Sequence, residues 1–171
     1  MQSGGKILTA YFSWSKNAKA LAEQIARESG SDLFEIQCVT PYSNNYNTCV
    51  AEALRDQQTN ARPALLGSVA NMPQYNTLFL CYPNWWESMP MAVFTFLESY
   101  DFSGKTIYPL ITHGGSRFGK SLKDMQKLCP KTIIGKGLSV SAYDTGSNDS
   151  AIVTVPNKDV SLWLRKIGIS R

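Results

Sequence analysis

The sequence predicts a three-layer α/β fold: an open, doubly wound parallel sheet of five strands with helices on both faces. Three observations carry this. Strand-like and helix-like segments alternate along the chain, with no internal repeat or low-complexity stretch. Residues 77–82 (TLFLCY) form a near-continuous apolar run, as a strand covered on both faces should. At 171 residues and 19.0 kDa, with 43% hydrophobic residues, the chain suits a single domain, 1–171, with a sizeable core.

The elements follow in order. Residues 6–12 (KILTAYF) are a short, β-rich apolar run. Residues 17–28 place Ala18, Leu21, Ala22, Ile25 and Ala26 at helical spacing, and Gly30 is suited to end that helix. Residues 33–38 read as a second strand and 47–58 as a second helix, followed by a loop through Pro63, Gly67 and Pro73. After strand 77–82, Pro90 can open a helix over MAVFTFLESY, because proline is accepted in a first turn. Residues 105–112 form the fourth strand, although Pro109 cannot donate to a ladder and prefers an edge or bulge. Residues 118–128 form a helix, 137–143 the fifth strand, and 157–167 a closing helix with Val160, Leu162, Trp163, Leu164 and Ile167 on its apolar side. Right-handed crossovers leave two common strand orders for such a sheet.

Composition excludes several classes. Charged residues are only 18%, and no stretch approaches the roughly 20 apolar residues of a membrane helix. The opening MQSGGKILTAYF runs straight into a strand-like segment and does not read as a signal peptide. Net charge is +4, and the excess is local: residues 101–171 carry eleven Lys/Arg against five Asp/Glu. Lys120, Lys123 and Lys127 share one helix face, which reads as solvated surface. No dense basic patch with stacking aromatics marks a nucleic-acid site. Cys38, Cys49, Cys81 and Cys129 form no C-x-x-C, and one histidine leaves a metal site without support. The expected setting is reducing and cytoplasmic, with Cys81 a buried thiol.

In a doubly wound sheet, ligands bind outside the carboxyl ends of the strands. Three loops there are unusual. The first, Ser13-Trp14-Ser15-Lys16-Asn17-Ala18, offers hydroxyl and amide donors, a cation and a helix start, which suits a phosphate. The same residues suit a plain helix cap by Ser15 or Asn17. The second is Tyr82-Pro83-Asn84-Trp85-Trp86-Glu87-Ser88-Met89-Pro90. Its adjacent tryptophans suit stacking on a planar ligand, or equally a lid or partner surface. The third is Thr112-His113-Gly114-Gly115-Ser116-Arg117-Phe118-Gly119. Its glycines let backbone approach a ligand, and His113 is either a structural hydrogen-bonder or a catalytic group. The first loop carries neither G-x-x-x-x-G-K-[ST] nor G-x-G-x-x-G, which disfavours nucleoside-triphosphate and dinucleotide chemistry there. A G-x-S-x-G elbow is also missing, which weakens a hydrolase reading, and strands one and three lack the terminal acids of a phosphoacceptor domain.

Together the loops suit a phosphorylated planar heterocycle. Over nearly its whole length the chain resembles the flavodoxin-like superfamily, especially small proteins of the Tyr-Pro-x-Trp-Trp type. The matching stretches are 11–15, 82–90, 96–98, 101–105 and 112–119. The resemblance implies the strand order 2-1-3-4-5 and FMN as cofactor. It implies that Ser13, Ser15, Asn17 and Ala18 hold the FMN phosphate and that Pro83, Asn84, Trp85 and Trp86 flank the isoalloxazine. Thr112, His113, Gly114, Gly115, Phe118 and Gly119 would line the other edge. The usual Ser-Gly-Asn-Thr reads here Ser15-Lys16-Asn17-Ala18. Any positive φ at Lys16 would cost energy, while its charge would offer the phosphate a compensating contact.

The resemblance implies an FMN-binding redox protein, serving either electron transfer or the reduction of a small molecule such as a quinone. Electron would come from NAD(P)H or a partner flavoprotein and pass to a redox partner or small-molecule acceptor. Electron-carrier flavodoxins are usually acidic; the basic charge here shifts weight towards a reductase of anionic or small substrates. In that role His113 and the amides of Gly114 and Gly115 would stabilise negative charge on reduced flavin. The rival is a binding module that keeps the fold, has lost or weakened FMN binding, and contacts a partner through Trp85 and Trp86.

Overall fold

The computed structural model describes residues 5–141 and 157–169. The strands are β1 (Lys6–Tyr11), β2 (Asp32–Glu35), β3 (Tyr75–Pro83), β4 (Thr106–His113), β5 (Ile133–Ile134) and β6 (Leu138–Ser141). The helices are α1 (Asn17–Ser29), α2 (Tyr46–Gln58), α3 (Met91–Glu98), α4 (Ser121–Leu128) and α5 (Lys158–Lys166). All pairings between strands are parallel, in the order β2-β1-β3-β4, with β5 and β6 both beyond β4. This is the expected doubly wound order 2-1-3-4-5.

The core lies on both faces of the sheet, and β3 shows why. Its Leu78, Leu80 and Tyr82 join one apolar cluster, while Phe79 and Cys81 join the other. Successive side chains of a strand point to opposite faces, so a two-sided strand must be apolar throughout. One cluster takes Ala92, Val93 and Phe96 from α3 and Met125 from α4. The other takes Leu21 and Ile25 from α1 and Val160, Trp163 and Leu164 from α5. Gln24 of α1 ties itself to Asn157 by a reciprocal amide pair, 2.9 and 2.8 Å, which fixes the start of α5.

The fifth strand position is a correction. It holds two short strands instead of one over 137–143, whose residues 142 and 143 lie outside the described residues. Pro109 supplies the reason. β5 pairs with Thr106 and Ile107, and β6 pairs with 110–113, so the break falls beside Pro109, which has no N–H to give. The connecting chain crosses so closely that a Cβ on Gly137 would lie 2.7 Å from the Pro109 carbonyl oxygen. β2 ends at Glu35, before the expected Cys38, because Cys38 turns to an antiparallel bridge with Leu65. α4 begins at Ser121, not 118, since Gly119 lies at φ +52 and interrupts helical dihedrals. Gly30, at φ 74, closes α1, and Pro90 precedes α3, both as the sequence predicts. All four cysteines are buried and unbridged, and burial pushes the Cys81 thiol well above its ordinary range.

Candidate functional site

The three unusual loops follow β1, β3 and β4, so the parallel sheet delivers them to one end. Phe12 donates its amide to the Cys81 carbonyl, and its ring meets Trp85 edge-on at 5.2 Å. Asn84 joins the other two loops: its amide donates to the Thr112 carbonyl at 2.8 Å, and its Nδ2 to the Arg117 carbonyl at 2.7 Å.

The first loop carries an unmet hydrogen bond. Ser13 Oγ is buried and has no partner, the one such side-chain atom among the described residues. Buried hydroxyls are nearly always satisfied, so an orphan at a helix entry invites a ligand. Ser15 and Lys16 are exposed, while Asn17 and Ala18 are buried at the start of α1. Lys16 precedes the helix at φ 71, and its side chain makes no capping hydrogen bond. The positive φ expected to cost energy here is present. For a residue with a Cβ it costs about 1–2 kcal/mol. Trp14 turns away and donates to the Ser43 carbonyl at 2.9 Å.

The second loop is a tight reversal. Trp85 and Ser88 exchange backbone hydrogen bonds of 2.9 and 3.1 Å. Trp86 at φ 51 and Glu87 at φ 65 fill its centre, the type I′ shape that usually takes Asn-Gly. The two tryptophans part company. Trp85 is half-buried, edge-on to Phe12 and to Tyr42 at 5.1 Å. Trp86 is 44% exposed and lies over α2, its indole N–H donating to the Val50 carbonyl at 3.0 Å. Pro83 and Asn84 are half-buried at the end of β3.

In the third loop Thr112 is buried and His113 half-buried, while Gly114, Gly115 and Gly119 are exposed and Phe118 packs on the core. The Gly115 amide donates to His113 Nδ1 at 2.9 Å. That N–H therefore has a partner, and the neutral imidazole keeps its proton on Nε2. Burial and then the Arg117 charge hold His113 below its ordinary 6.5, which favours the neutral imidazole. The amide's engagement leaves the expected Gly115 donor to reduced flavin already occupied within the protein. Gly119 is packed so tightly that a Cβ would sit 2.3 Å from the Glu87 carbonyl oxygen.

The structure thus brings Ser13 to Ala18, Pro83 to Trp86, and Thr112 to Gly119 to one end of the sheet. Sequence reasoning missed their supports: Tyr42, whose hydroxyl donates to Asp56 at 2.6 Å beneath Trp85, Gln57 on α2 and Asp124 on α4. Gln57 and Asp124 show in the sequence only as polar residues on otherwise ordinary helices, and Tyr42 only as an aromatic between the second strand and the second helix. Among the described residues, no cluster of His, Cys, Asp or Glu could hold a metal ion, and no helix is long and apolar enough to cross a membrane.

A family model described as flavodoxin matches residues 6–150. Similar solved structures include a provisionally named flavoprotein from Bacteroides eggerthii, at 29% identity and TM-score 0.75, covering 98% of this chain and 100% of that one. Another provisionally named flavoprotein, from Bacteroides uniformis, shares 28% identity at TM-score 0.76 over 95% and 99% of the chains. A Lactobacillus acidophilus flavoprotein in complex with FMN shares the fold at 18% identity and TM-score 0.71, over 80% and 93%. No curated protein matches the sequence.

Proposed function

The chain belongs to the flavodoxin family, and from that premise we propose that it binds FMN at the carboxyl end of its sheet and acts as a redox protein. The observation that carries the reading is the buried, unpartnered Ser13 Oγ beside the start of α1. A phosphate would give that hydroxyl its missing hydrogen bond, and the helix start favours an anion. The FMN complex of the Lactobacillus acidophilus flavoprotein, alike in fold, supports the choice of ligand.

When bound, FMN supplies the electron-carrying chemistry, and the protein sets its access and electrostatics. Ser13, Ser15, Lys16, Asn17 and Ala18 would hold the phosphate, with the Lys16 charge compensating the threonine hydroxyl that Ala18 lacks. Pro83, Asn84, Trp85 and Trp86 would flank the ring system. Thr112, His113, Gly114, Gly115, Phe118 and Gly119 would line its other edge. His113, neutral with its proton on Nε2, would act as a hydrogen-bond donor and not as a cation. The basic last third favours reduction of a small or anionic acceptor over shuttling to a basic protein.

The test is the visible spectrum of purified protein after adding FMN and desalting. A retained flavin spectrum with quenched fluorescence is expected, and rapid NADH or NADPH oxidation by that holoprotein would support the reductase arm. The strained Lys16 favours one second reading, a binding module with weakened FMN affinity. Loss of all flavin on desalting would select it.

A further inference from the structure

The turn at Trp86 and Glu87 is built against its own preferences. Neither residue favours positive φ, and a pair of them in one turn costs more than one. A free turn of this sequence would relax. Here both central carbonyls are held from outside. Gln57 Nε2 of α2 donates to the Trp86 carbonyl at 3.1 Å. The Lys120 amide, just before α4, donates to the Glu87 carbonyl at 2.7 Å. Ser88, at the end of the turn and buried, donates Oγ to Asp124 Oδ2 at 2.5 Å. The Trp86 indole is tied to Val50 of α2. The anchors thus come from two helices on either side of the loop.

We propose that Gln57 and Asp124 are positioning residues that hold the Trp86–Glu87 turn in a preformed shape for the ring of the bound flavin. Neither touches the ligand loops' own chemistry; each acts through the turn. This rests on the FMN reading above. Preorganisation matters because a loop already in its bound shape has no ordering cost left to meet on binding.

The experiment has an arm that needs no flavin. Amide hydrogen exchange is measured in the flavin-free protein for wild type, Gln57→Ala, Asp124→Ala and Asp124→Asn. Gln57 lies on a helix that tolerates alanine, which keeps the series interpretable if Asp124→Ala folds poorly. Exchange at the Trp85 and Ser88 amides is expected to rise about tenfold in both alanine variants, one hydrogen bond's worth of local opening. The Gly104 amide, bonded to Lys131 at the far end of the sheet, is expected to stay unchanged. Asp124→Asn, which keeps an acceptor for Ser88, is expected to restore wild-type exchange. In the FMN arm, the alanine variants are expected to bind about tenfold more weakly with shifted midpoint potentials, and Asp124→Asn to recover both. Wild-type exchange in both alanine variants, or equal acceleration at Gly104, would overturn the anchoring. Altered exchange with unchanged FMN affinity and potentials would overturn its role towards the flavin. Failure of wild type itself to bind FMN would overturn the reading of the site, while the exchange arm would still decide the anchoring.

Discussion

At the amino end of the sheet, backbone positions with positive φ are given to residues that accept them. Gly30 and Gly168 end helices there, Gly104 makes the turn into β4, and Asn71 enters the turn before β3. The polar side chains of that end are also satisfied. The Tyr75 hydroxyl donates to Asp32, Lys105 reaches the carbonyl of Tyr75, and Thr132 donates to the carbonyl of Phe102. At the carboxyl end the rule is broken. Lys16, Trp86, Glu87 and Arg117 all sit at positive φ, and Ser13 Oγ goes without a partner. One end follows local preference; the other carries strain and an unmet hydrogen bond. Strain of this kind persists where surrounding structure over-determines it, and it gathers where ligands bind.

The sharpest way to break the contrast is Gly119→Ala. The new Cβ would meet the Glu87 carbonyl in a φ that alanine disfavours, so roughly 3 kcal/mol of stability should go. Thermal unfolding should report a Tm lower by about 10 °C. Gly104→Ala also lies at positive φ but has open space around it, so its smaller loss separates collision from strain. Ser13→Ala comes next. It removes an unpartnered hydroxyl, so Tm should hold, while FMN affinity by fluorescence titration should fall about tenfold. A fall in Tm with unchanged affinity would mean that Ser13 is structural.

Lys16→Gly should do the reverse of a usual mutation and stabilise the chain by about 1 kcal/mol, because glycine accepts φ 71 freely. Asn71→Gly at the other end should change stability by only a few tenths, roughly, since asparagine already tolerates that region. Equal effects at the two sites would remove the distinction. The smallest expected effect is in acid. His113 is held below 6.5, so the unfolded chain takes up the proton first as pH falls. Stability from this group is therefore present above 6.5 and lost as pH falls through the lowered folded value. Denaturant midpoints measured down from pH 7 should show a loss that His113→Gln removes.

Much of this was legible in the chain. Apolar periodicity in α1 and the run in β3 needed only the two repeat lengths of regular structure, and Gly30 and Pro90 marked boundaries by local sterics. The split of the fifth strand was half legible: Pro109 announced a missing donor but not which neighbour would lose its bond. The loops were legible as a set because parallel strands must deliver them to one end. The division of labour between Trp85 and Trp86 was not. It depends on Tyr42, Phe12 and the Val50 carbonyl, groups 36 to 73 positions away in the chain for one or other indole.

The sequence by itself determined the alternation, the two-sided core, the family and the end of the sheet that carries the unusual residues. These are local or periodic properties, written in side-chain type and spacing. Tertiary structure alone decided that Lys16 would stand at positive φ, that Gly115 would give its amide to His113, and that Ser13 would be left without a partner. Each is a question of which distant group arrives within hydrogen-bond reach. That follows from packing three layers together, where the many elements that must fit at once override what any short segment prefers.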